Sequence, residues 1–325
     1  MMTLSWTACA SAALAGVLLD RWLGEPRRWH PLVGFGRIAA AVERRLNTPR
    51  AQARPVALRR AAGVLGWSAL VLAPAALAAW LVHAAGTVHP ALAWMLHAVA
   101  LYLALGACSL TQHIEPIAAA LMRGDLARAR ELTARIVSRD TADADAQALA
   151  RAACESALEN GNDAVFGALF WFAVGGAPAV VAYRLANTLD AMWGYRTPRL
   201  LHFGWAAARL DDLLNLIPAR LTALSYAALG STTQALRCWR EQAPLWSSPN
   251  AGPVMAAGAG AVGVALGGRA RYHGEWEDRP PLGTGSAPGA ADILACLRLV
   301  HRTLWLWLAV LALAALVTQL ADLPL

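Results

Sequence analysis

The sequence predicts an all-α, polytopic integral membrane protein. It also predicts broken or re-entrant segments and a polar helical insertion on the cytoplasmic side. Three observations carry that prediction. Of the 325 residues, 58% are hydrophobic and only 15% charged, against about 25% charged in an ordinary soluble chain. Mean hydropathy is +0.42. Apolar runs near the ~20-residue length of a membrane span recur along the chain, at 4–19, 61–82, 91–110 and 303–320, with weaker candidates at 165–183 and 253–267.

The first run, 4–19, lacks a basic start and meets Asp20-Arg21 at once. It reads as a short first membrane helix rather than a secretory signal. Between it and the second run, residues 21–60 carry ten arginines against two glutamates, while 83–90 carries no arginine. The positive-inside rule therefore puts 20–60 in the cytoplasm and 83–90 outside. The third run returns the chain to the cytoplasm near Thr111. All 28 basic residues are arginine, which excludes a Walker-type GxxxxGK[ST] loop and a Schiff-base lysine. The five cysteines show no CxxC spacing and read as small core residues. No internal repeat or linker is evident, so the chain reads as a single membrane domain, 1–325, with a polar catalytic region at 111–252.

From 111 to 160 the sequence is polar and rich in Ala, Leu, Arg and Glu, a helical pattern. Ser138-Arg139-Asp140-Thr141 interrupts it, and Thr141 is the predicted N-cap of the helix running to Asn160. On that helix Ser156, Glu159, Asn160 and Asp163 share one face, and Glu155 and Glu159 form an i, i+4 pair. Like charges so spaced repel unless a cation sits between them. The next apolar run is interrupted by Gly175-Gly176-Ala177-Pro178 and flanked by arginines on both sides. Such backbone is tolerated at membrane depth where it lines a cavity, so the segment is expected to dip in and return. Two further polar clusters follow: Arg184, Asn187 and Asp190, then Asp211, Asp212 and Asn215 between Arg209 and Arg220. Residues 269–290 form a Pro/Gly-rich polar loop, while Gly260, Gly263 and Gly267 read as small residues for close helix packing.

Three Asp/Asn clusters near arginines, each set in apolar sequence, point to a shared site. Carboxylate and amide oxygens suit Mg²⁺, which takes one or two carboxylates with phosphate and water. Arginine is the bidentate phosphate partner. Glu155, Glu159, Asp163 and Asp211 are the metal-ligand candidates. Arg139, Arg184 and Arg209 are candidate phosphate clamps, and Asp190 or Asp212 a catalytic base. Asn160, Asn187 and Asn215 would orient substrate amides. The alternatives are structural ion pairs in a helical bundle and a solute pathway. No GxSxG, HxxxH or HExxH pattern occurs.

Read together, "DRWLGEPRRWHPLVGFGRIAAAVE", "SRDT", "ESALENGNDAVFGALFWFAVGGAPAVVAYRLANTLDAMWGY", "FGWAAARLDDLLNLIPARL" and "SPNAG" followed by "LGG" resemble the cobalamin-biosynthesis membrane proteins CobD and CbiB, in the family's order over nearly the whole chain. Departures fall at Gly161 and Ala168. The resemblance implies an adenosylcobinamide-phosphate synthase, a carbon-nitrogen ligase that joins adenosylcobyric acid to aminopropanol or its phosphate with ATP and Mg²⁺. It further implies residence in the cytoplasmic membrane with the site facing the cytoplasm. The partners implied are the corrinoid and amine substrates and the bilayer, with no nucleic acid, and a homo-oligomer or other cobalamin-pathway membrane proteins besides. A transporter or sensor on the same scaffold is the alternative reading.

Overall fold

A computed structural model of the chain describes residues 4–26, 30–272 and 274–322. Arg27, Arg28 and Trp29 of the first family-like motif lie outside them. Ser5 accepts a hydrogen bond from the Ala8 amide and so caps α1 (Trp6–Leu23). His30 does the same for Leu32 at the head of α2 (Pro31–Leu46), which has proline at its first position. After the single turn α3 (Pro49–Gln52) come α4 (Val56–Val88) and α5 (Pro90–Ala104). There follow α6 (Ala107–Met122), α7 (Leu126–Thr133), α8 (Ala146–Gly161), a π-helical turn (Asn162–Phe166) and α9 (Gly167–Trp193). The last helices are α10 (Trp205–Leu214), α11 (Leu216–Leu229), α12 (Thr232–Gln242), α13 (Ala251–Val262) and α14 (Ala290–Ala321).

Helix makes up 76% of the described residues. Four helical stretches are long and apolar enough to cross a membrane: Val56–Val88, Pro90–Met122, Ala146–Trp193 and Ala290–Ala321. Their composition explains this. On α4, Leu65, Leu72, Leu77 and Trp80 are exposed, and on α14 Val310, Leu313, Leu316 and Val317. Apolar faces of that extent suit lipid rather than water. The expected spans 61–82, 91–110 and 303–320 fall within three of these stretches. The expected span 4–19 lies in α1, but Asp20 and Arg21 leave α1 outside the four.

The chain groups into two compact units. The first combines Met1–Gly106, Gly167–Asn215 and Leu308–Leu325; the second combines Ala107–Phe166 and Leu216–Trp307. In the first unit α4 packs on α9 and α5, and α1 packs on α5. A buried cluster of Leu70, Val71, Leu185, Leu189, Trp193 and Phe203 forms one core. In the second, α13 packs on α12 and α11, and α8 packs on α6 and α7. Ile114, Ile117, Leu149, Leu158, Phe166 and Tyr226 are fully buried there.

The GGAP break behaves as the sequence predicts. Gly176 takes φ 61° inside α9, a left-handed value that other residues rarely adopt. A Cβ there would lie 2.4 Å from His97 Cε1. Across this break the two arms fold back on each other. A Cβ on Gly167 would lie 2.0 Å from the Tyr183 hydroxyl, whereas a straight helix would separate those residues by about 24 Å. The His97 ring accepts a hydrogen bond from the Ala177 amide (2.9 Å) and so satisfies a donor freed at the bend.

Four local expectations are corrected. Thr141 does not cap α8; it donates to the Arg130 carbonyl (3.2 Å). Asp145 is the cap and accepts from Ala148 N (2.7 Å). The apolar run 253–267 is not a span: α13 has twelve residues, ten of them buried, so it is a core helix. Residues 269–290 are not merely loop. Ala265–Gly267 pairs antiparallel with Pro281–Gly283, and Ala270–Tyr272 with Glu275–Glu277. Of the three glycines expected to serve helix packing, Gly260 does so, against the Gln234 carbonyl and Ala235. Gly263 instead ends α13, and Gly267 sits in the first strand.

Candidate functional site

In the second unit, α8 carries Arg151, Glu155 and Glu159 one turn apart on a single stripe, with Asp163 in the π turn beyond. The helix reaches Gly161, where only glycine fits because a Cβ would meet the Tyr226 hydroxyl at 2.6 Å and Val300 at 3.0 Å. The π turn follows directly, and Asn162 anchors it by accepting from the Thr222 hydroxyl (3.0 Å). Its amide donates to Asp163 Oδ1 (2.9 Å).

Glu155 is 3% exposed, and its carboxylate is saturated. Oε1 accepts from Gly267 N (2.8 Å) and Arg279 Nη2 (3.2 Å). Oε2 accepts from Arg279 Nη1 (2.9 Å) and from Arg139 Nη2. A carboxylate offers about four acceptor positions, and all are taken. The cation facing Glu155 is thus guanidinium, doubled. Arg279 is held further by donating from Nε to the Gly268 carbonyl (3.1 Å) and by lying over the Trp246 ring, 5.5 Å from its centroid.

Glu159 differs. It is half-buried and forms no hydrogen bond or ion pair among the described residues. Its charged neighbours are Asp163, Glu155, Arg139 and Arg279. Asn160 turns back on its own helix and donates to Ser156 O and Oγ at 2.9 and 3.0 Å. Nearby, Arg220 donates to Asn250 Oδ1 (2.6 Å), which ties the SPNAG motif to α11.

The predicted site residues of the first unit are engaged locally. Asn187 and Asn215 donate to the two oxygens of Asp211 at 3.3 and 3.1 Å, and Tyr183 donates to Asn215 Oδ1 at 2.9 Å. Asp190 Oδ1 lies over Gly194, 2.0 Å from the position of a Cβ there. Asp212 pairs with Arg209 at 3.7 Å. Burial holds the Asp212 carboxyl above the usual carboxylate range, against the pull of Arg209 and Arg196. Arg184 lines an apolar cavity of about 260 Å³ together with Leu32, Ala100, Leu103, Val181 and others. In the same unit buried Glu43 binds Arg199 through both oxygens and also accepts from Asn47 (2.8 Å).

The sequence brings Arg139, Glu155, Glu159, Asn160 and Asp163 to one region of one unit. It did not signal Arg279, and it marked Gly267 only as a packing glycine. Arg279 lies 124 residues from Glu155, beyond any helical spacing rule. Arg151 was legible as the i−4 neighbour of Glu155 on a predicted helix. Among the described residues no group of three or more His, Cys, Asp or Glu side chains is placed to hold a metal ion. Glu159 and Asp163 are neighbouring carboxylates of like charge.

A family model described as CobD/Cbib protein matches residues 13–300. The chain is 60% identical to Cobalamin biosynthesis protein CobD of Chromobacterium violaceum, over 92% of this chain and 94% of that protein. It is 43% identical to the protein of that name from Mycobacterium tuberculosis, over 90% and 91%. To the one from Halalkalibacterium halodurans it is 36% identical, over 90% and 92%. No solved structure matches. With a match over most of its length, this chain belongs to the CobD/Cbib protein family.

Proposed function

We propose that the protein acts in cobalamin biosynthesis as an ATP-dependent ligase that joins the free carboxylate of adenosylcobyric acid to aminopropanol or its phosphate. One observation carries this reading beyond the family: the second unit sets a half-buried carboxylate with no hydrogen bond or ion pair among the described residues, Glu159, beside a guanidinium pair locked on Glu155. A carboxylate and a phosphate-bearing co-substrate both need cations, and ligation needs a divalent ion.

A carboxylate cannot be displaced by an amine directly, because its oxygen is a poor leaving group. Transfer of the γ-phosphoryl group of ATP to that oxygen gives an acyl phosphate and ADP. The amine nitrogen then bonds to the acyl carbon, the C–O bond breaks, and the proton lost by nitrogen leaves with the product as hydrogen phosphate. Mg²⁺, when bound, supplies charge neutralisation on the phosphoryl oxygens. Glu159 and Asp163 would hold it. Arg139 would neutralise the same oxygens, and Glu155 holds Arg139 and Arg279 in place. The arginine-rich 20–60 segment and the arginine-free 83–90 connection support a cytoplasmic-membrane orientation with this site facing the cytoplasm.

The test is mass spectrometry of a reaction containing detergent-purified protein, adenosylcobyric acid, ATP, Mg²⁺ and either aminopropanol or its phosphate. The expected product has gained the amine less one water, with one ADP released per product. Folded protein that makes no product with either amine, or that moves labelled corrinoid across vesicles without consuming ATP, would overturn the reading.

A further inference from the structure

Beside Arg139, Glu155 and Arg279, the second unit places two features that the ligase reading has not used, Arg151 and the Gly267-Gly268 turn. Arg151 is half-buried and forms no hydrogen bond or ion pair among the described residues. Its Nη1 lies 3.7 Å from where a Cβ on Gly268 would be. Gly267 and Gly268 both take φ 72°, so the backbone turns here in a form closed to side-chain-bearing residues. At Gly267 a Cβ would also strike the Pro280 carbonyl at 2.1 Å. Close by, Arg139 commits one N–H to Glu155 and keeps the rest of its fork. Arg279 links these parts, since it donates to Glu155 and to the carbonyls of Gly267 and Gly268.

We propose that Arg151 and Arg139, braced by Glu155 and Arg279 against the Gly267-Gly268 turn, form a binding site for a phosphoryl group. The ligand class is a phosphate monoester or the terminal phosphate of a nucleotide. Charge matches that class. Arg139, Arg151 and Arg279 stand against Glu155, Glu159, Asp163 and the exposed Glu277 that faces Arg279, so a divalent cation on Glu159 and Asp163 turns the local balance positive, as a phosphate requires. Geometry agrees, because guanidinium is the side chain whose donors fit phosphate oxygens two at a time. The division of labour also follows from burial. Arg279, with its side chain 8% exposed and committed to Glu155, is a positioning residue. Arg151 reaches solvent and is free to close on a ligand.

This deepens the ligase reading and rests on it only for the choice of probes. The experiment is ligand-induced thermal stabilisation of the full chain in detergent with Mg²⁺. Aminopropanol phosphate is compared with aminopropanol, and ATP with adenosine. Stabilisation by the phosphorylated member of a pair alone, with half-saturation raised about tenfold or more in R151Q and partly restored in R151K, is the expected result. Arg237, exposed on α12, provides the control: R237Q should bind as the parent does. Which pair responds identifies the source of the phosphate. Equal binding by R151Q and the parent, or no response of the parent to either phosphorylated ligand, would overturn the site. The two readings fail separately. Product formation by R151Q with an unchanged KM for both phosphorylated substrates sinks the site and leaves the ligase. Arg151-dependent phosphate binding by a protein that makes no product sinks the ligase and leaves the site.

Discussion

Replacing Glu155 with alanine should destabilise the second unit more than any other single side-chain truncation in the candidate site. The substitution deletes a carboxylate that accepts four hydrogen bonds. It leaves the Arg279 and Arg139 side chains, 8% and 13% exposed, without their countercharge. Simple addition of four charge-assisted bonds at about 1.5–3 kcal/mol each overshoots, because they share one acceptor group and are not independent. The better measure is the cost of leaving a buried charge uncompensated, about 3–5 kcal/mol. At roughly 2 °C per kcal/mol for a chain of this size, the melting temperature should fall by about 6–10 °C. E155Q keeps the shape and one acceptor oxygen, so it should fall between the parent and E155A. Intrinsic tryptophan fluorescence in detergent is a suitable assay, with Trp246 stacked on Arg279 as a local reporter. A melting temperature for E155A within about 1 °C of the parent would show that solvent or lipid satisfies both arginines, and that Glu155 does not brace them.

G176A should lower the melting temperature, since a left-handed non-glycine residue costs about 1–2 kcal/mol and its Cβ would also press on His97; an unchanged melt would mean that the bend in α9 has another form. G267A should loosen the hairpin at 270–277, seen as faster proteolysis after Arg269 or Arg271, and equal cleavage rates would count against the Glu155 brace. D212N tests the raised Asp212 pKa. A carboxyl whose folded pKa lies above its unfolded value near 3.9 loses stability for the fold when it ionises, so D212N should melt above the parent at neutral pH. That advantage should shrink as pH falls through the folded pKa and vanish below the unfolded one. A gap constant with pH would place the effect elsewhere than ionisation.

What the sequence reveals and what it hides divide along physical lines. The long helices α4 and α14 are legible because their composition alone sets them in lipid. The bend in α9 is legible because glycine followed by proline leaves few backbone choices. The stripe from Glu155 to Asp163 follows from helical periodicity, though the π turn displaces its last member in a way no periodicity rule anticipates. Thr141 and Asp145 are equally good caps by type, and only the Arg130 carbonyl, reached through the fold, decides between them. Arg279 and the strand pairs at 265–283 are set by contacts distant in sequence. They look like a polar loop until the chain closes. The apolar run of α13 shows the opposite ambiguity, for a wholly buried helix and a membrane segment share one composition.

The fold-back of α9 also bears on topological bookkeeping. Its first arm, Gly167 to Gly175, is nine residues and rises about 13 Å, less than half the ~30 Å thickness of a hydrocarbon layer. Its second arm returns to the level of the first at Tyr183. The run at 165–183 is therefore expected to add nothing to the parity of crossings, although the stretch that contains it, Ala146–Trp193, is long and apolar enough to count as one. Counting it would invert the side given to every later segment, including α14. Reporter fusions placed after residue 195 and before residue 290 would read that parity directly.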